Sequence, residues 1–152
     1  MNQVPINSYA GIYYRRILTY MKKAFKEIGL TFEEGVILQN IMINPDSSQD
    51  EIARALVFDT AAVARALKEL EGKGYVSRII DPNNQRKKIV SITAEGTQIA
   101  LKINEIMENW DNAIFKGLKK NEKKEVVDDM RFLKDRAYDV DINELLDHLK
   151  DE

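Results

Sequence analysis

Three consecutive basic residues, Arg86, Lys87 and Lys88, are the stretch of this sequence whose residue types most directly suggest a chemical role. Arg78 lies eight residues before Arg86, so four cations fall within eleven residues. Lysine and arginine neutralise phosphates, and a local basic patch is the electrostatic signature of nucleic-acid binding. Such a run is also commonly found on a hairpin tip with no role beyond solvation, so its structural context must decide.

The sequence lacks the residues that most catalytic and redox sites require. It contains no cysteine, which excludes disulfides, thiol catalysis, iron–sulfur clusters and cysteine-based peroxide sensing. Its single histidine, His148, argues against a histidine-built metal site and a serine triad. Carboxylates form no catalytic pattern, and no glycine-rich phosphate loop is present. We therefore expect no enzyme, no cofactor and no metal site.

Length and composition indicate one ordinary globular domain. The chain has 152 residues, of which 44% are hydrophobic and 32% are charged. It contains no run of 18 apolar residues and no basic head followed by an apolar stretch at its start, so we expect a cytoplasmic protein without membrane contact. The net charge is −2, and residues 97–152 contain 10 basic and 14 acidic residues. An acidic total weakens a nucleic-acid interpretation but does not exclude it, because the local patch decides.

Hydrophobic periodicity and helix-capping residues predict four helices in the first half of the chain. Apolar residues recur along them at steps of three and four. The capping-box pattern, Ser or Thr followed three residues later by Glu, opens the second and third helices at Thr31 and Ser48. Asp59 is a favourable N-cap for the fourth. The predicted helices cover residues 8–28, 31–44, 48–56 and 60–74.

The chain then changes to a strand-like pattern. Residues 75–80 and 89–93 are rich in β-branched side chains and predict two strands. The polar segment between them, residues 81–88, contains a proline and two asparagines and predicts a flexible hairpin loop. We expect Asp81 to brace this loop, with Arg78 as a possible partner.

Two further helices complete the predicted elements. One follows Thr93, and the other covers residues 121–149, with Asn121 as a possible cap and an interruption near 140–142. The apolar stripes of the helices at both ends of the chain are wider than the central elements can cover. They favour pairing of two chains through residues 1–28 and 97–149.

The order of the central elements predicts a winged helix-turn-helix. A short helix, a three-residue turn and a second helix form a standard DNA-binding unit, and the hairpin after them is the wing. The fold class is therefore mainly α with a small β-hairpin. In such a unit the second helix presents its N-terminal half to the major groove. Arg86 at the wing tip is placed to enter the adjacent minor groove, where negative potential is concentrated.

The stretch LEGKGYVSRIIDPNNQRKKIVSITAEG, residues 70–96, resembles the MarR family of bacterial and archaeal transcription regulators. The segments QDEIARAL and DTAAVARALKELE before it fit the same family. The matching residues are Leu70, Glu71, Lys73, Gly74, Arg78, Asp81, Arg86, Val90, Thr93 and Gly96.

The resemblance implies a domain plan and a function. One MarR-type domain covers residues 1–152, with the winged helix-turn-helix in residues 31–96 between dimerisation helices in residues 1–29 and 97–152. It also implies a homodimer that binds a palindromic operator in double-stranded DNA, acts as a repressor and is released by a small organic effector, whose pocket and identity the sequence does not reveal.

Two features depart from the family pattern. Members usually have aspartate two residues before the wing arginine, whereas this chain has Asn84, which cannot hold Arg86 by an ion pair. The second helix of the helix-turn-helix, the recognition helix, has alanines where Ser or Thr is frequent in the family. Alanine can contact a thymine methyl but donates no hydrogen bond, which favours modest or A·T-biased specificity.

The predicted DNA-binding residues combine the start of the short helix, the recognition helix and the wing. Ser48 and Gln49 start the short helix, and the free backbone N–H groups at a helix N-terminus can bind phosphate. The alternative is that Ser48 only caps the helix. Two rival interpretations remain: a winged helix used for protein contact, and an enzyme within a helical bundle. The predicted set is Ser48, Gln49, Thr60, Ala61, Ala62, Ala64, Arg65, Lys68, Arg78, Arg86, Lys87 and Lys88.

Overall fold

A computed structural model describes residues 4–147 and residue 149, and this part of the chain is mainly helical with one two-stranded antiparallel sheet. The predicted fold class is confirmed. His148 lies outside the described residues, as do residues 1–3 and 150–152. In chain order the elements are α1 (Ile6–Glu27), α2 (Phe32–Ile43), α3 (Gln49–Leu56), α4 (Thr60–Gly72), β1 (Val76–Asp81), β2 (Asn84–Ile92), α5 (Ala94–Ile114), α6 (Lys120–Tyr138) and α7 (Ile142–Asp147).

Two compact units divide after Asp111. The first contains α1 to α4, the hairpin and nearly all of α5, and it has a continuous apolar core. Gly35 lets α2 approach α1 closely, because a Cβ at that position would overlap the ring of Phe25. The side chains that are completely buried in this core include Phe25, Ile37, Leu38, Ile41, Ile52, Val63, Leu67, Leu70, Val90 and Ile103.

Local capping interactions determine where the helices of the first unit begin. Both predicted capping boxes are present: the Thr31 hydroxyl accepts from the Glu34 N–H at 3.2 Å, and the Thr31 N–H donates to the Glu34 carboxylate at 2.9 Å. Ser48 and Glu51 repeat the pattern at 3.3 and 2.7 Å. The predicted cap of α4 is also confirmed, since the Asp59 carboxylate accepts from the Ala62 N–H at 3.1 Å. The sequence therefore fixes both helices of the helix-turn-helix at their starts.

The hairpin differs from its prediction at the tip. The predicted loop over residues 81–88 is wrong, because only Pro82 and Asn83 separate the two strands. Arg86, Lys87 and Lys88 belong to β2 instead of a flexible loop. Polar side chains suggested a loop, but both faces of this part of the hairpin are largely exposed to solvent, so a strand there needs no apolar alternation.

A bulge shapes the tip of the wing. Ile80 pairs with Lys88, whereas the next residue, Asp81, pairs with Asn84, so β2 contributes three residues that have no simple counterpart on β1. Asp81 braces the turn by accepting from the Asn83 N–H at 2.8 Å. The suggested partnership of Asp81 with Arg78 is wrong, because Arg78 pairs with a glutamate on α4.

The second unit comprises α6, α7 and the residues that precede them. The suggested cap at Asn121 is wrong: α6 begins one residue earlier, where the Lys119 N–H donates to the Glu122 carboxylate at 2.6 Å. The predicted interruption near 140–142 is confirmed by the break between α6 and α7. Neither helix contains a buried residue. Along the described chain, no helix is both long and apolar enough to cross a membrane.

Candidate nucleic-acid interface

The outward face of α4 combines one small residue and two cations. Val63 and Leu67 are four residues apart and therefore lie on the same face of α4, which packs on the core, where both are fully buried. The opposite face therefore presents Ala61, Arg65 and Lys68, all exposed. Neither cation has a hydrogen-bond or ion-pair partner among the described residues. This face is open to an anionic or hydrogen-bonding ligand.

The remaining predicted residues of α4 lie at the margins of that face. Thr60 is exposed at the first turn, whereas Ala62 and Ala64 are half-buried. Ala62 and Arg65 also line a shallow groove against the start of α2, with a volume of about 310 Å³. Arg65 thus borders both the open face and this groove.

A second groove separates the start of α3 from the wing. Its volume is about 620 Å³. It brings together five predicted residues that are far apart in sequence, and a backbone hydrogen bond of 2.9 Å from the Val90 N–H to the Ser47 carbonyl holds β2 against the segment before α3. The predicted residues that line it are Ser48, Gln49, Arg86, Lys87 and Lys88.

An ion pair crosses this groove. The Lys87 ammonium lies 2.9 Å from the Glu51 carboxylate, which is the same carboxylate that caps α3. The hydrogen bond from Lys87, followed by that from the Ser48 N–H, lowers the pKa of Glu51 from 4.5 to about 2. Lys87 is therefore engaged within the chain.

Arg78 is likewise engaged within the chain. Its guanidinium Nε lies 3.1 Å from the Glu71 carboxylate near the end of α4, and Nη1 lies 3.5 Å from the Gln49 side-chain oxygen. These contacts connect β1 with α4 and α3. Arg78 thus joins the three elements that carry the predicted interface.

The guanidinium of Arg86 and the ammonium of Lys88 have no such partner in the described part of the chain. Both side chains are exposed. The Asn84 side-chain oxygen accepts from the Arg86 backbone N–H at 3.1 Å, so Asn84 shapes the backbone of the tip and makes no bond to the Arg86 head group. Arg86 and Lys88 are the free cations of the wing.

An ion pair with one buried partner holds the end of α4. The Lys73 ammonium lies 2.6 Å from the Glu34 carboxylate, which is only 3% exposed as a residue, and 2.9 Å from the Gly29 carbonyl oxygen. Since Glu34 also caps α2, this contact links the recognition helix to the start of α2. Removing Lys73 would leave the buried Glu34 carboxylate without its charge partner.

Comparison with known proteins identifies the family. A sequence model described as the MarR family matches residues 30–88, which include α2 to α4 and most of the hairpin. The HTH-type transcriptional regulator BilQ of Clostridioides difficile (strain CD3) is 30% identical over 116 residues, covering 76% of this chain and 78% of the relative. The chain belongs to the MarR family.

Solved structures share the fold of this MarR family member. The transcriptional regulator BldR from Sulfolobus solfataricus is 28% identical, with a TM-score of 0.73 over 86% of this chain and 92% of that one. A MarR family transcriptional regulator from Listeria monocytogenes, solved in complex with 26mer DNA, is 24% identical, with a TM-score of 0.82 over 91% of both chains. Proteins of this family are transcriptional regulators and not enzymes, as the sequence predicted.

Sequence reasoning missed three charged residues around the predicted interface of this MarR chain. Arg54 lines the groove between α3 and the wing, and its position on the exposed side of the predicted α3 could have revealed it. Glu51 and Glu71 hold Lys87 and Arg78. Those two pairings had no sequence signal, because each joins residues that are distant in the chain or on different elements.

Proposed function

We propose that this MarR family member is a sequence-preferring DNA-binding regulator that inserts α4 into the major groove and the wing into an adjacent minor groove. The observation that carries this proposal is the set of unpaired cations, Arg65 and Lys68 on α4 and Arg86 on the wing, within one compact unit. The Listeria relative, which was solved with DNA, supports it.

The proposed contacts divide into base readout and phosphate binding. Arg65 and Lys68 donate to base edges, while the small side chains beside them contact thymine methyl groups, which gives modest, A·T-biased specificity. The base-readout group also contains Thr60, Ala61, Ala62 and Ala64. The phosphate group, which positions the duplex, consists of Ser48, Gln49, Arg78, Lys87 and Lys88. Arg86 enters the minor groove.

The protein acts as a homodimer in this proposal. Exposed apolar side chains on α1, such as Tyr9 and Ile12, and on α6, such as Met130 and Leu133, support pairing of two chains. Two-fold symmetry then places the recognition helices about 34 Å apart and requires a palindromic operator. A dimer bound to an operator that overlaps a promoter blocks polymerase, so the proposed regulator is a repressor. It acts in the cytoplasm, where its target DNA lies.

In this proposal, the binding of a small organic effector releases the protein from DNA. A ligand that binds better to a dimer with incorrect spacing of its recognition helices lowers DNA affinity by its differential affinity for the two states. The absence of cysteine excludes a thiol switch. Among the described residues, no group of three or more His, Asp or Glu is placed to hold a metal ion. Both observations leave an organic effector as the favoured signal.

Mobility shift tests the proposal with the DNA upstream of the gene, a shuffled duplex and several salt concentrations. We expect tighter binding to the upstream DNA and affinity that falls steeply with salt. Arg86→Ala should weaken binding by about 1–3 kcal/mol if the wing enters a groove. Unchanged affinity in this variant would remove the wing from the proposal. No binding of the wild type even at low salt would favour a winged helix that contacts a protein partner.

A further inference from the structure

We propose that Arg54, on the first helix of the helix-turn-helix, binds a backbone phosphate of the DNA and so anchors the strand that lies between α3 and the wing. The inference rests on the proposed function and adds a contact that the sequence motifs do not indicate. It adds a contact from the exposed side of α3 to the phosphate contacts proposed for Ser48 and Gln49 at the start of that helix.

The position of Arg54 makes this contact geometrically available. Ile52 and Ala53 turn into the core, where they are buried, and Arg54 points away from it. Its side chain is exposed and lines the groove of about 620 Å³ together with Arg86 and Lys88. In the described chain its guanidinium has no ion-pair or hydrogen-bond partner, so binding a phosphate would break no internal contact.

The charge of the groove favours an anion. Four basic and two acidic side chains line it, a net charge of plus two. One of the acidic residues, Glu51, is already paired with Lys87 at 2.9 Å. Arg54, Arg86 and Lys88 are then opposed by Asp50 alone. Cations that converge on one cleft raise the local potential and attract polyanions.

Phosphate is the favoured ligand because of where α3 lies in the motif. The first helix of a helix-turn-helix crosses the DNA backbone, whereas the second enters the major groove. A guanidinium can also bind phosphate through two parallel hydrogen bonds, which makes arginine suited to this contact. Phosphate contacts position the protein but do not read the sequence.

Fluorescence-anisotropy titrations of the full-length protein test this role. They use the upstream duplex and a shuffled duplex across a series of salt concentrations. We expect Arg54→Ala to weaken binding about tenfold, by the same factor on both duplexes. The slope of log affinity against log salt should become less negative by about 0.9, the value for one lost phosphate contact.

Two further variants sharpen the experiment. Lys26→Ala removes the same charge from an exposed site on α1 outside the groove. Because α1 belongs to the proposed pairing region, size-exclusion chromatography first verifies that this variant pairs as the wild type does, and its salt slope should then be unchanged. Arg54→Lys keeps a point charge and should retain the salt slope while losing part of the affinity. Circular dichroism of each variant confirms that the fold is retained.

The outcomes separate this inference from the proposed function. If Arg54→Ala behaves like Lys26→Ala while the wild type binds DNA, the inference is wrong and the proposed function stands. If Arg54→Ala changes the preference between the two duplexes, Arg54 reads bases and the phosphate role is wrong. If the wild type binds neither duplex, the proposed function fails and the inference fails with it.

Discussion

Glu51 performs two tasks with one carboxylate. It completes the capping box of α3 by accepting from the Ser48 N–H, and it holds Lys87 of the wing. Glutamine at the same position can also complete a capping box, but it cannot form the ion pair. Glu51→Gln therefore separates the helix cap from the connection between α3 and the wing.

The depressed pKa of Glu51 predicts an acid-dependent loss of stability. Because its folded pKa of about 2 lies below its ordinary value of 4.5, the pair stabilises the fold fully above about pH 4.5. That contribution is lost as the pH falls toward 2. The Glu51 side chain is 41% exposed and solvent screens the pair, so the effect is small, roughly 0.2–1 kcal/mol.

Urea unfolding between neutral pH and pH 2 measures this effect. We expect the free energy of unfolding of Glu51→Gln to fall less steeply below pH 4.5 than that of the wild type. Lys87→Gln is the matched control, because it removes the same pair from the wing side and should reduce the acid dependence in the same direction. Parallel curves for all three proteins would contradict the ion pair.

At the scale of elements, the start of α5 closes the base of the wing. The Thr93 hydroxyl accepts from the Gly96 N–H at 3.0 Å and donates to the Gly74 carbonyl oxygen at 2.6 Å. The Thr93 N–H donates to the Tyr75 carbonyl oxygen at 3.0 Å. Gly96 allows this close approach, since a Cβ there would overlap the same Tyr75 oxygen. Thr93 and Gly96 therefore have a structural role among the residues that resemble the family.

Gly96→Ala should destabilise the protein because the new methyl group displaces a backbone carbonyl, which cannot rotate away as a flexible side chain could. We expect a loss of about 1–3 kcal/mol in the free energy of unfolding. Gly72→Ala is the matched control: nothing lies within 4 Å of the position that its new methyl group would occupy, so a helical alanine should be neutral or slightly stabilising. Equal stabilities of the two variants by urea unfolding would contradict the close approach.

Sequence patterns predicted the elements whose signals are local. Capping residues and apolar periodicity placed α1 to α4, because each signal acts within one or two turns. The wing tip was mispredicted because its strand pairing depends on a bulge and its side chains are polar. Pairs such as Glu34 with Lys73 bring together residues 39 positions apart, and only the tertiary fold determines them.

At the scale of the molecule, acidic and basic residues are distributed unevenly along the chain. The net charge is −2, yet residues 97–152 alone contain four more acidic than basic residues, which leaves the preceding part mildly basic. In the proposed complex, phosphates attract the mildly basic preceding part, which contains the helix-turn-helix, and repel residues 97–152. The exposed apolar residues of α6 and α7 then serve the pairing of two chains in the proposed dimer.

Hydroxyl-radical footprinting of the upstream DNA tests the central claim, that two copies bind one duplex through α4 and the wing. We expect two protected segments related by two-fold symmetry, with centres about one helical turn apart, and flanking minor-groove protection that disappears in Arg86→Ala. A single protected segment, or uniform cleavage at saturating protein in dilute buffer, would contradict it.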